Sequence, residues 1–199
     1  MAHQPMILGV VGMIGSGKST VLRALRDFGI RCVETDKLGH DALVTERDRI
    51  VTHFGERILE DGAISRKILG RIVFADDQAR FDLERIVHPM IMRRIDDEVQ
   101  SSSAAQERMI AIEFIPILGL NLADRCDQVW VVTCSDENRA ERLIRRGMSI
   151  EDIAQRLRVQ YPMMTSIEGR VHQTIYTDAP VEVQQQLVRT LVAELLRTR

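Results

Sequence analysis

The chain has 199 residues, 45% of them apolar and 28% charged, with 27 basic and 29 acidic side chains and a net charge of −2. That composition suits one folded domain with a real apolar core, and it argues against a broad nucleic-acid-binding surface. The three cysteines, Cys32, Cys126 and Cys134, are scattered and odd in number, which argues against a disulfide framework or a zinc site.

The opening stretch, Met1 to Pro5, carries no basic region, and the apolar run behind it is too short for a signal peptide or a membrane span. The expected setting is therefore cytoplasmic, without a membrane partner. Met6 to Val11 reads as a buried strand. It leads into Gly12-Met13-Ile14-Gly15-Ser16-Gly17-Lys18-Ser19, which fits the phosphate-binding pattern G-x-x-x-x-G-K-[ST] at every fixed position. A helix is predicted next, with Val21, Leu22, Leu25 and Phe28 on one face and Gly29 as its stop. Strand, glycine loop and helix in that order are what a phosphate cradle needs. The glycines Gly12, Gly15 and Gly17 of this loop, with Ser16 among its phosphate-site residues, let backbone N–H groups converge on one anion, and the helix N-terminus adds partial positive charge. Lys18 can reach the β- and γ-phosphates, the Ser19 hydroxyl can ligate Mg²⁺, and Thr20 can add a hydroxyl near the α-phosphate. A chance glycine turn would lack these flanks.

Arg31 to Thr35 reads as a second strand ending at Asp36, and a helical stretch then runs to Val44. A helix from Glu46 to Phe54 stops at Gly55, and Glu60-Asp61-Gly62 is a turn. Ser65 caps a helix through Phe74. A long helix is expected from about Asp76 to Val99, with Phe81, Leu83, Ile86, Val87, Met90, Ile91 and Ile95 near its buried side and a kink or break at Pro89. Ser101 to Ala105 reads as a polar loop. Met109 to Ile112 starts a third strand, and Gln128 to Thr133 is a fourth. Glu137 to Arg146 is a basic helix. Ser149-Ile150-Glu151-Asp152 resembles a capping box for a helix to about Gln160. Thr174 to Thr177 completes the strands, and Val181 to Leu196 is a final helix. The alternation predicts an α/β fold with a doubly wound, parallel five-stranded sheet of the P-loop NTPase type. The expected core is 6–36, 107–135 and 171–199. An inserted helical subdomain at about 37–105 would cover the acceptor, and a helical lid would occupy about 136–162.

A guanine-specific GTPase needs an N-K-x-D motif, which is missing, and Asp36-Lys37-Leu38-Gly39 comes too early for the GTPase D-x-x-G element. A small-molecule kinase needs an acid for the acceptor hydroxyl and cations on a lid. Asp36, at the end of a strand, is placed for the first role, although a helix N-cap would use the same residue. Arg139, Arg142, Arg145 and Arg146 are the lid candidates. Arg142 and Arg146, four apart, share a helix face able to clamp phosphates. A solvated basic face paired with Glu137 and Glu141 is the plainer alternative.

Together these stretches resemble the bacterial dephospho-coenzyme A kinases. Gly12 to Val21 is similar to that family's G-G-I-G-S-G-K-S-T-V. Gly29-Ile30 with Val33-Glu34-Thr35-Asp36 looks like its G-x-x-V-I-D-A-D. Phe54-Gly55 with Leu59 to Arg66 is similar to its F-G … D-G-x-L-x-R. Ile72-Val73-Phe74 and Leu83 to Ile91 look like its I-V-F and L-E-x-I-x-H-P-x-I, and Arg142, Arg146 and Gln160 match its lid. The resemblance implies transfer of the γ-phosphoryl of ATP, with Mg²⁺, to the ribose 3′-hydroxyl of dephospho-CoA, a small-molecule substrate. It implies that Asp36 is the catalytic acid/base beside Lys18 and Arg142, that Arg142 and Arg146 hold phosphates, and that His88 and Pro89 lie near the acceptor. A monomer or weak homo-oligomer is expected. Two stretches depart from the pattern. Ile115-Pro116-Ile117-Leu118-Gly119 stands where the family has P-L-L-F-E, and Val171 to Ala179 lacks the asparagine and glycine of A-D-x-V-I-x-N-x-G, with Thr177 and Ala179 in their places. A related nucleotide or nucleoside kinase and a catalytically weak ATP-binding regulatory module are the alternatives.

Overall fold

The computed structural model describes residues 4–116 and 121–197. Gly119, where the family glutamate is replaced, lies outside the described residues. The chain divides into two compact units, Met1–Glu34 with Glu98–Arg199, and Thr35–Asp97.

The first unit opens with β1 (Met6–Val11), α1 (Lys18–Asp27) and β2 (Arg31–Glu34). The second unit holds α2 (Thr35–Thr45), α3 (Arg47–Phe54), the short strands β3 (Leu59–Glu60) and β4 (Ala63–Ile64), α4 (Arg66–Ala75) and most of α5 (Asp77–Ala104). The chain then returns to the first unit through β5 (Met109–Phe114), β6 (Gln128–Thr133), α6 (Asp136–Arg145), α7 (Ile150–Thr165), β7 (Gln173–Tyr176) and α8 (Val181–Arg197).

The five long strands form one parallel sheet in the order β2–β5–β1–β6–β7. β1 is central and buried at all six residues, as expected of a parallel strand covered on both faces. Leu8 and Val10 of β1 pack with Val21, Leu22 and Leu25 of α1, Trp130 of β6, and Val188 and Val192 of α8. From β1 the chain goes out to the edge strand β2, returns to β5 between β2 and β1, then crosses to β6 and β7 on the other side. Ligands of open α/β sheets bind at the carboxyl ends of the strands where this reversal occurs. Here that edge carries the glycine loop after β1, Glu113 near the end of β5, Cys134-Ser135 after β6 and Thr177-Asp178 after β7.

Several elements differ from the sequence expectation. Phe28 is 40% exposed, because it is the residue past the last turn of α1 where the chain reverses at Gly29 (φ 87°); buried Ile30 closes that apolar face instead. β2 ends at Glu34, and Thr35, buried, already belongs to α2. The turn at Asp61-Gly62 joins a two-stranded hairpin, with positive φ at both residues as a type I′ turn requires. α5 is one continuous helix through Pro89, with Val87, Met90, Ile91 and Ile95 as its buried stripe. Phe81 lies outside that stripe, 53% exposed, with the Arg85 guanidinium 5.8 Å from its ring centroid. The expected loop at Ser101 to Ala105 is the end of α5. Ser102 is fully buried there, and Arg31 ties that helix end down through Glu98 at 3.1 Å and Glu107 at 2.8 Å. Tertiary packing overrides the weak helix propensity of serine. α7 continues past Gln160 and through Pro162 to Thr165, carrying Met163 into the core.

Candidate active site

The loop after β1 is built so that its carbonyls are bound by the protein. Lys18 Nζ donates to Gly12 O at 2.7 Å and Met13 O at 3.3 Å. Arg139 Nη1 donates to Ile14 O at 3.1 Å and Arg142 Nη1 to Gly15 O at 3.3 Å. The Thr177 hydroxyl donates to Ser16 O at 2.6 Å. Every carbonyl from Gly12 to Ser16 is therefore engaged, whereas the N–H groups of Gly15 and Gly17 have no hydrogen-bond partner among the described residues. Ser16, expected at the anion, instead donates its N–H to Met13 O at 3.2 Å, and Ile14 donates its N–H to Gln160. In a trans peptide the C=O and N–H point in opposite directions, so fixing the Ile14 and Ser16 carbonyls turns the N–H groups of Gly15 and Gly17 to the other side of the loop. That is the arrangement of an anion-binding nest.

Two glycines permit this geometry. A Cβ on Gly12 would stand 2.4 Å from Val132 O and 2.7 Å from Ser16 Oγ. Gly17 sits at φ 93°, and a Cβ there would meet the Thr177 side chain at 2.7 Å. Gly17 is also the N-cap of α1, with no side-chain cap and no acidic residue in the first turn, so the positive end of the helix dipole is left unneutralised. Ser16 Oγ is buried and has no hydrogen-bond partner among the described residues. An orphaned hydroxyl within a cradle too tight for a Cβ fits a phosphate oxygen. Ser19 is exposed in the first turn of α1, and Thr20 follows it half-buried. Among the described residues no group of three or more His, Cys, Asp or Glu could hold a metal. A Mg²⁺ bound here would take a protein hydroxyl together with phosphate and water oxygens, and Ser19 is the hydroxyl available.

Lys18 also forms a buried ion pair, 3.4 Å from Glu113 Oε1. Glu113 was not singled out in the sequence. Its signal is a lone acid near the carboxyl end of the apolar run Met109 to Phe114.

The basic residues of α6 do not act alike. Arg139 is 2% exposed and holds the loop from beneath, with a second bond to Cys134 O. Arg142 is half-buried, with Nη1 bonded to Thr177 Oγ1 at 2.9 Å and Nη2 to Thr177 O. Arg145 is exposed and pairs with Glu141, as the solvated-face reading has it. Arg146 is the C-cap of α6, exposed, with no ion-pair partner among the described residues. Gln160 of α7 accepts from Ile14 N at 2.8 Å, fixing the front of the loop.

The segment lacking the family asparagine and glycine is well anchored. Thr177 is 1% exposed. Asp178 accepts from Ser135 N at 2.9 Å and Asn138 Nδ2 at 2.7 Å, and these bonds hold its carboxyl below the usual aspartate range. Gln184 Nε2 donates to Thr177 O at 3.0 Å and Ala179 O at 2.6 Å.

In the second unit Asp36 is exposed in the first turn of α2, two residues beyond β2. His88 is half-buried in α5, and burial pushes its imidazole below the ordinary range. Pro89 is exposed beside it.

The sequence profile of the dephospho-CoA kinase family matches residues 6–176. The chain belongs to the dephospho-CoA kinase family. A dephospho-CoA kinase of Geobacter sulfurreducens is 40% identical over 166 residues, covering 79% of this chain and 82% of that protein. A Thermus thermophilus protein of known structure superposes with a TM-score of 0.82 at 28% identity, over 96% of this chain and 98% of the other. A Campylobacter jejuni dephospho-CoA kinase shares the fold, with a TM-score of 0.68 at 24% identity over 95% of this chain and 96% of its own. The family match takes in the loop, Asp36, His88-Pro89 and Arg142. It stops one residue short of Thr177. Among the described residues no helix is long and apolar enough to cross a membrane.

Proposed function

We infer that this protein is a dephospho-CoA kinase, transferring the γ-phosphoryl group of ATP to the ribose 3′-hydroxyl of dephospho-CoA, the last step of coenzyme A biosynthesis. Beyond family membership, the observation that carries the reading is the loop itself, with its carbonyls bound from Gly12 to Ser16 and the N–H groups of Gly15 and Gly17 left without a partner among the described residues.

In this reading the N–H groups of Gly15 and Gly17, with the Ser16 hydroxyl, bind the phosphate chain. Lys18 exchanges part of its contact with loop carbonyls and Glu113 for the β- and γ-phosphates. Ser19 contributes the hydroxyl for Mg²⁺, which when bound supplies positive charge across the phosphates, and Thr20 adds a hydroxyl near the α-phosphate. Asp36 orients the acceptor 3′-hydroxyl and takes its proton as the new P–O bond forms and ADP leaves. Arg142 and Arg146 hold the phosphates, Arg142 acting on the transferring group while keeping the loop in shape. The helical unit binds the acceptor, with His88 and Pro89 in its contact surface. The enzyme works in the cytoplasm on small-molecule substrates, as a monomer or weak homo-oligomer.

The test is product identification. Phosphorus NMR of the product from ATP, Mg²⁺ and dephospho-CoA should show a new 3′-phosphomonoester. A phosphate on any other hydroxyl, or none, contradicts the reading.

A further inference from the structure

One side chain outside the glycine loop touches more of it than any motif residue suggests. The Thr177 hydroxyl has one proton and two lone pairs. It gives the proton to Ser16 O at 2.6 Å and accepts from Arg142 Nη1 at 2.9 Å. Its carbon atoms lie against Gly17, where a Cβ would approach Thr177 Cβ to 2.9 Å and Cγ2 to 3.0 Å. Arg142, held by the Thr177 hydroxyl and carbonyl, reaches on to Gly15 O. Gln184, 4% exposed, fixes the Thr177 carbonyl from α8. One residue at the end of β7 thus acts on Gly15, Ser16 and Gly17 in succession.

The geometry points to Thr177 as a positioning residue for phosphate binding: its hydroxyl anchors the Ser16 carbonyl and steers Arg142, and so aims the Gly17 N–H into the cradle. The inference rests on the loop being the ATP phosphate site. Ser16 C=O and Gly17 N–H belong to one planar peptide unit, so holding the oxygen beneath the loop orients the amide above it. Preorganised donors cost no rearrangement when charge arrives. Without the hydroxyl, the Ser16–Gly17 peptide can rotate and Arg142 loses its side-chain acceptor. Thr177 touches no reacting atom in this account and acts only through the loop.

Thr177→Val keeps the shape and removes both hydrogen bonds, whereas Thr177→Ser keeps the hydroxyl. With the full-length enzyme, ATP and dephospho-CoA, the valine variant should raise the KM for ATP and the directly measured ATP Kd by about tenfold, the loss of roughly one good hydrogen bond. Its KM for dephospho-CoA should stay within about twofold of wild type, and Thr177→Ser should restore ATP affinity. A lower Tm in Thr177→Val with unchanged ATP Kd would mean a purely structural role and overturn the proposal, as would a serine variant no better than valine. Lys18→Ala, titrated with ATP in parallel, separates the two layers. If it binds ATP as wild type does, the loop reading itself is wrong; if it fails while Thr177→Val binds normally, only the role of Thr177 is wrong.

Discussion

Lys18 Nζ stands 3.4 Å from Glu113 Oε1, with both side chains largely buried, while the same ammonium bonds to the Gly12 carbonyl. The lysine that would meet the phosphates is therefore held in place beforehand by an acid on the neighbouring strand.

Removing Lys18 should do two things at once. Lys18→Ala should lower kcat by at least about 100-fold, as loss of a phosphate-stabilising cation implies. It should also lower the Tm, because the largely buried ion pair with Glu113 is broken. Adding Glu113→Gln should recover much of the Tm and none of the activity. Thermal melts beside turnover measurements check this, and a double variant with restored activity would contradict the role of Lys18.

Asp36→Asn keeps the size of the side chain and removes its proton-accepting charge. The expected result is a fall in kcat of about 10²–10⁴-fold, the usual contribution of a general base, with the KM for ATP and the Tm little changed. Steady-state kinetics beside a melt test it. A variant with wild-type kcat would leave Asp36 as a helix-start residue only.

Gly12→Ala would put a methyl group 2.4 Å from the Val132 carbonyl, a backbone atom that cannot swing away. The strain should cost about 1–3 kcal/mol and displace the loop. Calorimetry should show a lower Tm and weakened ATP binding. Gly29→Ala is the control for general glycine loss, since among the described residues no atom beyond its own chain neighbours lies within 4 Å of a Cβ there; it meets only the cost of its positive φ.

Burial holds the His88 imidazole below its ordinary range. The unfolded chain therefore takes up the proton first, near its unperturbed pKa of about 6.5. The stability linked to His88 is fully present above that pH and is lost as pH falls through the lower folded value. Denaturant melts from pH 8 to pH 5 should show this acid-side loss, and His88→Gln should flatten it. An identical pH slope in the variant would contradict the linkage.

The sheet, the loop and the order of elements were legible because their signals are local. Six successive apolar residues make β1, and the contiguous Gly12 to Ser19 motif makes the turn. The second layer around the loop was not legible. Thr177 and Ser16 meet across 161 residues of sequence, and Gln160 and Ile14 across 146. Nothing in a polar residue past a strand announces which carbonyl it will find. Arg139 and Arg142 read as a charged lid face, since charge spacing on a helix does not reveal that one arginine is buried under the loop. Phe81 and Phe28 read as core because apolar periodicity does not show where a buried stripe begins or ends, and the serine run at the end of α5 read as loop because its burial is tertiary.

The most direct test of the account is ADP release by the purified protein with ATP, Mg²⁺ and dephospho-CoA, run beside adenosine, AMP, CMP, GMP and dTMP as acceptors and beside Asp36→Asn. The account predicts sustained turnover on dephospho-CoA, little on the others, and its loss in the variant. Turnover on a different acceptor in preference to dephospho-CoA, or ATP binding without multiple turnover, would contradict it.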